Sequence, residues 1–208
     1  MNSPPPAPSA EPKAPRVFYF RHGETLWSLS GQHTGATDIP LTAHGEAQAR
    51  SLEPVVASLS PTHVFASPRI RAIRTCELAG AAIHPVIEPD LAEWNYGDYE
   101  GLRSAEITSI RPGWNIFRDG CPNGESPVQI SERADRLIAR LREMEGDVAL
   151  FSHGHFGAVL ATRWIGLDVI AGQHFPLSPA STSILSRDPR HADIPVLALW
   201  NSAPAARP

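Results

Sequence analysis

The 208-residue sequence lacks long apolar runs and is poor in cysteine. No stretch approaches the roughly 20 apolar residues of a membrane-spanning helix, which argues against a membrane partner. The N-terminus lacks the basic-then-apolar pattern of a secretion signal, so we expect a cytoplasmic location. The two cysteines, Cys76 and Cys121, are far apart and fit no metal or redox motif. We therefore expect reduced thiols of minor structural importance.

Charge is also scarce, since charged residues make up 19% of the chain and the formal net charge is −4. This balance argues against a nucleic-acid partner. The length favours one domain with a substantial core and leaves the oligomeric state open. Residues 1–15 contain six of the 21 prolines and no hydrophobic period. We expect a flexible tail at 1–15, a folded domain at 16–202 and a second flexible tail at 203–208.

Strand-like and helix-like segments alternate between the two tails. Alternating β and α segments predict a three-layer α/β/α sandwich with a mostly parallel central sheet. Thr42 is the expected N-cap of a helix in which Pro54 produces a kink or an end. Predicted strands cover 17–20, 63–66, 83–87, 182–185 and 196–200, with another from 148 up to a histidine; further predicted helices follow Arg69, cover 128–144 and follow His155.

The junction of the first predicted strand with Arg21-His22-Gly23-Glu24-Thr25 carries the strongest chemical signal. An arginine can clamp phosphoryl oxygens with paired hydrogen bonds, and a glycine lets the backbone approach a ligand. The imidazole of His22 can attack phosphorus as a covalent nucleophile. A buried strand-end histidine beside a surface arginine is the alternative interpretation of these residues taken alone.

Three further segments follow in order. They are Ser67-Pro68-Arg69-Ile70-Arg71-Ala72-Ile73-Arg74-Thr75, Leu91-Ala92-Glu93 continuing to Glu100-Gly101-Leu102, and the strand that ends in Ser152-His153-Gly154-His155. His22, Ser67 and His153 fall at carboxyl ends of predicted strands, where ligands bind in such sheets. Together the motifs resemble the histidine phosphatase superfamily, also called phosphoglycerate-mutase-like, from about residue 17 to residue 201. The resemblance makes 16–202 a catalytic domain.

The resemblance implies a metal-independent phosphomonoesterase with no cofactor, acting on a small phosphorylated metabolite through a phosphohistidine at His22. Arg21 and Arg71 match the two arginines that hold the phosphate. His153 matches the second histidine, which donates a hydrogen bond to the transferring phosphoryl group. The alternatives are a solvated helix residue for Arg71 and a zinc ligand, paired with His155, for His153.

An acid is needed to protonate the leaving oxygen and then to deprotonate the attacking water. Glu93 matches the acid position of the family. Glu100, beside Gly101, is the rival, and we expect it to bond the backbone instead. Glu24 is a candidate for the rim of the pocket without an assigned step.

The loops after the first motif suggest the substrate. Ser28 replaces the asparagine that many family members carry, and the 28–35, 94–102 and 121–126 segments look most like the sedoheptulose-bisphosphatase-like branch. This resemblance implies a sugar phosphate or bisphosphate; Ser28, Gln32, Thr34, Gly35 and Arg69 are the candidate substrate-binding residues. Arg69 could face the mouth of the pocket and hold a second phosphate, or it could be a solvated surface arginine. A phosphoglycerate-mutase-type phosphotransferase and a non-catalytic phospho-ligand binding module are the alternative functions.

Overall fold

The computed structural model describes residues 15–203, so the tails expected at 1–14 and 204–208 lie outside the described residues. Pro15 is already buried, which starts the packed part of the chain one residue before the predicted domain boundary. The strands are β1 Val17–Arg21, β2 His63–Ala66, β3 Val86–Ile87, β4 Val148–Ser152, β5 Thr182–Arg187 and β6 Pro195–Ser202. The helices are α1 Leu26–Ser30, α2 Ala43–Ser51, α3 Glu53–Leu59, α4 Ile70–Leu78, α5 Ser104–Ile110, α6 Ile116–Asp119, α7 Pro127–Arg142 and α8 Gly154–Trp164. Short 3-10 helices cover Pro89–Leu91, Gly97–Tyr99 and Val169–His174.

The six strands form one sheet in the order β3-β2-β4-β1-β5-β6. Strands β1 to β4 pair in parallel, whereas β5 runs antiparallel to β1 and β6 antiparallel to β5. The predicted mostly parallel sheet is therefore confirmed. The strand expected over 83–87 contains only Val86 and Ile87, because Pro85 before them has no N–H to donate to a neighbouring strand.

Helices cover both faces of the sheet, as the three-layer prediction requires. Phe18 and Phe20 of β1 pack into one apolar cluster with residues of α3 and α4, including Cys76. Val17 and Tyr19 point the other way, into a larger cluster with α7 and α8. This alternation is the two-residue period of a strand that is buried on both faces.

The predicted helix signals are present at the expected positions. The Thr42 hydroxyl caps α2 by accepting from the Gly45 N–H, as predicted. The helical run breaks at Leu52, and Pro54 occupies the first turn of α3, so the predicted end at Pro54 is confirmed. Helix α8 begins at Gly154 rather than after His155. No helix within residues 15–203 is long and apolar enough to cross a membrane.

The parallel pairing determines where the chain leaves the sheet. Arg21 of β1 lies opposite Ser152 of β4, and Ala66 of β2 lies opposite Phe151. Strands β1, β2 and β4 therefore end at the same edge, and the residues that follow them are neighbours in space.

Candidate active site

His22 is held at this edge by backbone bonds to both neighbouring segments. Its N–H donates to Ser152 O at 2.9 Å, and its carbonyl accepts from Ala180 N at 3.0 Å. The ring Nδ1 lies 2.7 Å from Gly23 O, and because a carbonyl only accepts, Nδ1 carries the proton. The ring Nε2 is therefore the unprotonated nitrogen. A Cβ on Gly23 would lie 2.3 Å from Gly45 O, so only glycine permits this turn.

The environment of His22 keeps the imidazole uncharged. The side chain is only 5% exposed. Burial, followed by the positive charges of Arg71 and Arg21, holds the pKa of His22 well below its usual 6.5, while the Gly23 carbonyl acts in the opposite direction. A neutral imidazole with a free Nε2 is the form that can act as a nucleophile.

Two guanidinium groups flank the ring. Arg71 is fully buried and donates to the carbonyls of Thr34, Gly35 and Thr37 at 2.9 to 3.1 Å. It is therefore not the solvated helix residue of the alternative interpretation. Arg21 donates to Leu177 O. In both arginines the Nε is buried and has no partner among the described residues, so each has a donor available for a ligand.

His153 follows β4 and lies beside the nucleophile, with the two ring centroids 5.2 Å apart. Its backbone is fixed by Tyr19, whose hydroxyl donates to His153 O and accepts from His153 N. Its Nε2 is 2.7 Å from Ser67 Oγ, whereas its buried Nδ1 has no partner within residues 15–203. Burial and the charge of Arg71 lower the pKa of His153 well below 6.5.

The His153 and His155 side chains have different partners. His155 Nδ1 lies 2.6 Å from the Tyr96 hydroxyl, away from the Ser67 contact of His153. Within the described part of the chain, no group of three or more His, Cys, Asp and Glu residues could hold a metal ion.

Glu93 lies at the N-terminus of α8 and lines the same cavity as Arg21 and His22. Its Oε1 accepts from Trp94 N and Phe156 N at 2.9 and 2.7 Å, and its Oε2 accepts from His155 N at 3.0 Å. A carboxylate oxygen has two lone pairs, so Oε1 is saturated and Oε2 retains one. That lone pair is the one position at which the held carboxyl group can exchange a proton.

A buried arginine on α7 positions the Glu93 loop. Arg133 donates to the carbonyls of Asp90, Ala92 and Glu93 and forms an ion pair with Glu125 at 2.8 Å. These bonds fix the backbone immediately before the acid. The sequence analysis did not identify Arg133, although its spacing from Ile130 and Leu137 places it on the apolar face of α7.

Glu100 bonds the backbone, as expected. Its carboxylate accepts from Gly35 N and Thr37 N at 2.9 to 3.0 Å and so holds the loop whose carbonyls bind Arg71. Glu24 accepts from the Thr42 hydroxyl at 2.7 Å and is not among the residues that line the cavity.

A cavity of about 380 Å³ opens beside Arg21 and His22. Of the candidate substrate-binding residues, Ser28, Gln32 and Thr34 line it, whereas Gly35 and Arg69 do not. Gly35 instead bonds Glu100 and Arg71 through its backbone. Arg71 and His153 are also absent from the lining, because both are fully buried.

The rest of the cavity wall lies outside the candidate site residues. It consists mainly of rings and of a segment before β5, with His33, Tyr96, Phe117, His155, Phe175 and Leu177 as the main side chains. The His33 ring lies 4.7 Å from Tyr96 and its Nε2 is 3.2 Å from Ser104 Oγ. These contacts join residues that are far apart in sequence, so no local signal reveals them.

Comparisons with known proteins agree with this geometry. A family model described as histidine phosphatase superfamily (branch 1) matches residues 17–202. A sedoheptulose 1,7-bisphosphatase of Saccharomyces cerevisiae is 43% identical over 187 residues, which cover 74% of this chain and 69% of the yeast protein. An acid phosphatase of Mycobacterium tuberculosis is 41% identical, over 81% of this chain and 85% of its own. A solved structure from an M. tuberculosis open reading frame superposes with a TM-score of 0.85 at 37% identity, covering 91% of this chain and 98% of that one.

The buried His33 generates a prediction about stability and pH. Burial and the nearby His155 lower the pKa of His33 to about 4, against 6.5 in the unfolded chain. Between these pH values His33 binds a proton in the unfolded state but not in the folded state. The free energy of unfolding therefore rises with pH and reaches its full value above about 6.5. We expect wild type to lose about 2 kcal/mol more unfolding free energy than His33→Gln between pH 7 and pH 5.

Urea unfolding of both proteins at the two pH values measures this difference. The exposed His84→Gln is the control for removal of a histidine. Equal pH dependence in wild type and His33→Gln would contradict the prediction.

Proposed function

Because the chain belongs to the histidine phosphatase superfamily and is a phosphatase, we propose that it hydrolyses a small sugar phosphate through a phosphohistidine on His22 Nε2. The observation that carries this proposal is a set of three buried nitrogens without a partner among the described residues, on Arg21, Arg71 and His153. The positive charges of Arg21 and Arg71 lower the pKa of both His22 and His153. Leaving a buried donor unsatisfied costs about 1–3 kcal/mol, which phosphoryl oxygens would recover.

In the first step, His22 Nε2 attacks phosphorus and the bond from phosphorus to the leaving oxygen breaks. Arg21 and Arg71 bond the phosphoryl oxygens and balance their charge as the reaction proceeds. His153 donates from Nδ1, because the Ser67 hydroxyl, which accepts from Arg69 N, can donate to Nε2. Glu93 gives the proton on Oε2 to the leaving alkoxide, which departs as an alcohol.

In the second step, water attacks phosphorus and the bond from phosphorus to His22 Nε2 breaks. Glu93, now ionised, takes the proton of that water at the Oε2 lone pair. Inorganic phosphate leaves, and the imidazole and the carboxyl group return to their starting forms. The two steps use one acid in both directions and need no metal in the proposed scheme.

The first functional prediction concerns the nucleophile. His22→Ala removes the nitrogen that bonds phosphorus, so we expect loss of turnover and loss of an acid-labile phosphoenzyme in rapid-quench labelling. Arg71→Ala should retain the phosphoenzyme but lose on the order of a hundredfold to a thousandfold in kcat, because one donor to the developing anion is missing.

Three controls accompany this test. The exposed His84→Ala should retain wild-type rates. Dialysis against a chelator should leave the activity intact. Release of inorganic phosphate, measured directly, separates hydrolysis from mutase-type transfer to another hydroxyl. Substantial turnover by His22→Ala would overturn the assignment of the nucleophile.

The second functional prediction tests the acid with two substrates that differ in their leaving group. An alkyl oxygen needs a proton in the transition state, whereas p-nitrophenolate needs it far less. Glu93→Gln should therefore lose at least about tenfold more kcat on a sugar phosphate than on p-nitrophenyl phosphate. Glu100→Gln is the matched control, since its carboxylate bonds the 35–37 backbone and should affect both substrates alike. Equal losses of kcat on the two substrates in Glu93→Gln would show that another residue is the acid.

The third functional prediction concerns a second phosphate on the substrate. The yeast relative is named for a sugar bisphosphate. Arg69 does not line the cavity but is half-buried on the segment that leads to Arg71, and its Nε has no partner in residues 15–203. We expect a higher kcat/KM for sugar bisphosphates than for the matching monophosphates, and loss of that preference in Arg69→Ala. Arg190→Ala, in the hairpin at the opposite end of β5, is the control. A preference that Arg69→Ala leaves unchanged would remove Arg69 from the substrate site.

A further inference from the structure

Two side chains that the proposed steps leave unused form a hydrogen-bonded pair on the cavity wall. The Tyr96 hydroxyl lies 2.6 Å from His155 Nδ1, and both residues line the cavity that contains His22 and Glu93. Tyr96 is buried, whereas His155 is half-buried. The pair therefore joins the buried Tyr96 hydroxyl to the His155 ring, which a ligand in the cavity can contact.

The hydrogen bond determines which ring nitrogen of His155 carries the proton. Burial raises the pKa of Tyr96 well above 10, so its hydroxyl keeps its proton. His155 Nδ1 is the one acceptor that this hydroxyl contacts within residues 15–203. A buried hydroxyl that did not donate there would be left unsatisfied at a cost of about 1–3 kcal/mol. Nδ1 therefore accepts, and Nε2 carries the hydrogen of the neutral ring.

His155 Nε2 is left as a donor without a partner among the described residues. Burial and the positive charge of Arg21 lower the pKa of His155 to about 4, so the donor is uncharged at neutral pH. The neighbouring rings restrict the side chain, with centroids of Phe117 and His33 at 5.5 and 5.6 Å. The N–H therefore has a defined direction before any ligand binds.

The position of His155 relates this donor to the reacting atoms. Its backbone N–H bonds Glu93 Oε2, the oxygen assigned to proton transfer with the leaving group. Tyr96 and His155 therefore occupy the wall directly beside the acid. Because the leaving oxygen takes its proton from Glu93 Oε2 in the proposed mechanism, a substrate group beside His155 would belong to the leaving alcohol.

We propose that Tyr96 and His155 recognise the leaving alcohol: His155 donates its Nε2–H to a neutral hydroxyl or carbonyl oxygen near the phosphoester, and Tyr96 fixes the tautomer that makes this possible. His155 is then a specificity-determining residue and Tyr96 a positioning residue. The inference rests on the proposed function, because it names a feature of the substrate of that same site.

The kinetic test compares ribitol 5-phosphate with pentyl phosphate, which has the same carbon chain without hydroxyls. Wild type should prefer the polyol ester, and His155→Phe should reduce the ratio of the two kcat/KM values by about tenfold, the effect of one lost hydrogen bond. His155→Gln, which keeps a terminal N–H, should recover part of the ratio. The exposed His84→Phe should leave the ratio unchanged. Equal effects of His155→Phe on both esters would overturn the proposal.

A second readout needs no turnover. Long-range ¹H–¹⁵N NMR of the ¹⁵N-histidine-labelled protein, assigned with His155→Gln, should show His155 with its proton on Nε2 in wild type. Tyr96→Phe should give a mixture of tautomers and an intermediate substrate ratio. A proton on Nδ1 in wild type would refute the inference whatever the kinetics show. Failure of the phosphohistidine mechanism would be visible separately, as turnover in His22→Ala.

Discussion

The site depends on one constraint: the imidazole of His22 must stay uncharged near two guanidinium groups, the fully buried Arg71 and the half-buried Arg21. Burial disfavours the charged form of His22, and Arg71 and Arg21 disfavour it further. The Nε of both arginines is buried without a partner among residues 15–203. Each such donor costs about 1–3 kcal/mol until an acceptor arrives. In the proposed function, the positive charges that keep the His22 imidazole neutral therefore also favour binding of a phosphoryl group.

Buried charges of this kind need fixed partners, and the chain provides them through its loops. The carbonyls of Thr34, Gly35 and Thr37 bind Arg71, and Glu100 in turn holds that loop through its N–H groups. Glu93 accepts from the first turn of α8, and Arg133 fixes the backbone on the other side of it. The backbone N–H and carbonyl groups of these loops thus form hydrogen bonds with charged side chains, because buried backbone groups need partners. Of these side chains, Glu100 and Arg133 position the site without lining the cavity.

Much of the frame could be predicted because its signals are local. Short apolar runs end at Arg21, Ala66 and Ser152, and the parallel pairing that brings those ends together follows from the β/α alternation. Thr42 and Pro54 act through their immediate neighbours, so the helix start and break were also predictable. The wall of the cavity was not, because its bonds join distant residues: Tyr96 meets His155 across 59 positions, and Arg133 meets the Glu93 backbone across 40. In sequence, Arg133 has the spacing of the apolar face of α7, three residues after Ile130 and four before Leu137, but its partners are distant in the chain.

The division between predictable and unpredictable residues coincides with a division in space. Arg71 and His153 lie behind His22, fully buried and outside the cavity lining, where strand ends and helix starts determine their positions. The outer wall comes from several separate stretches, which include Gln32, Tyr96, Phe117, His155 and Phe175. Substitutions in those stretches alter the cavity wall without changing the residues that hold the His22 ring. The reaction type is therefore encoded in local motifs, whereas the choice of substrate is encoded in long-range contacts that only the folded chain brings together.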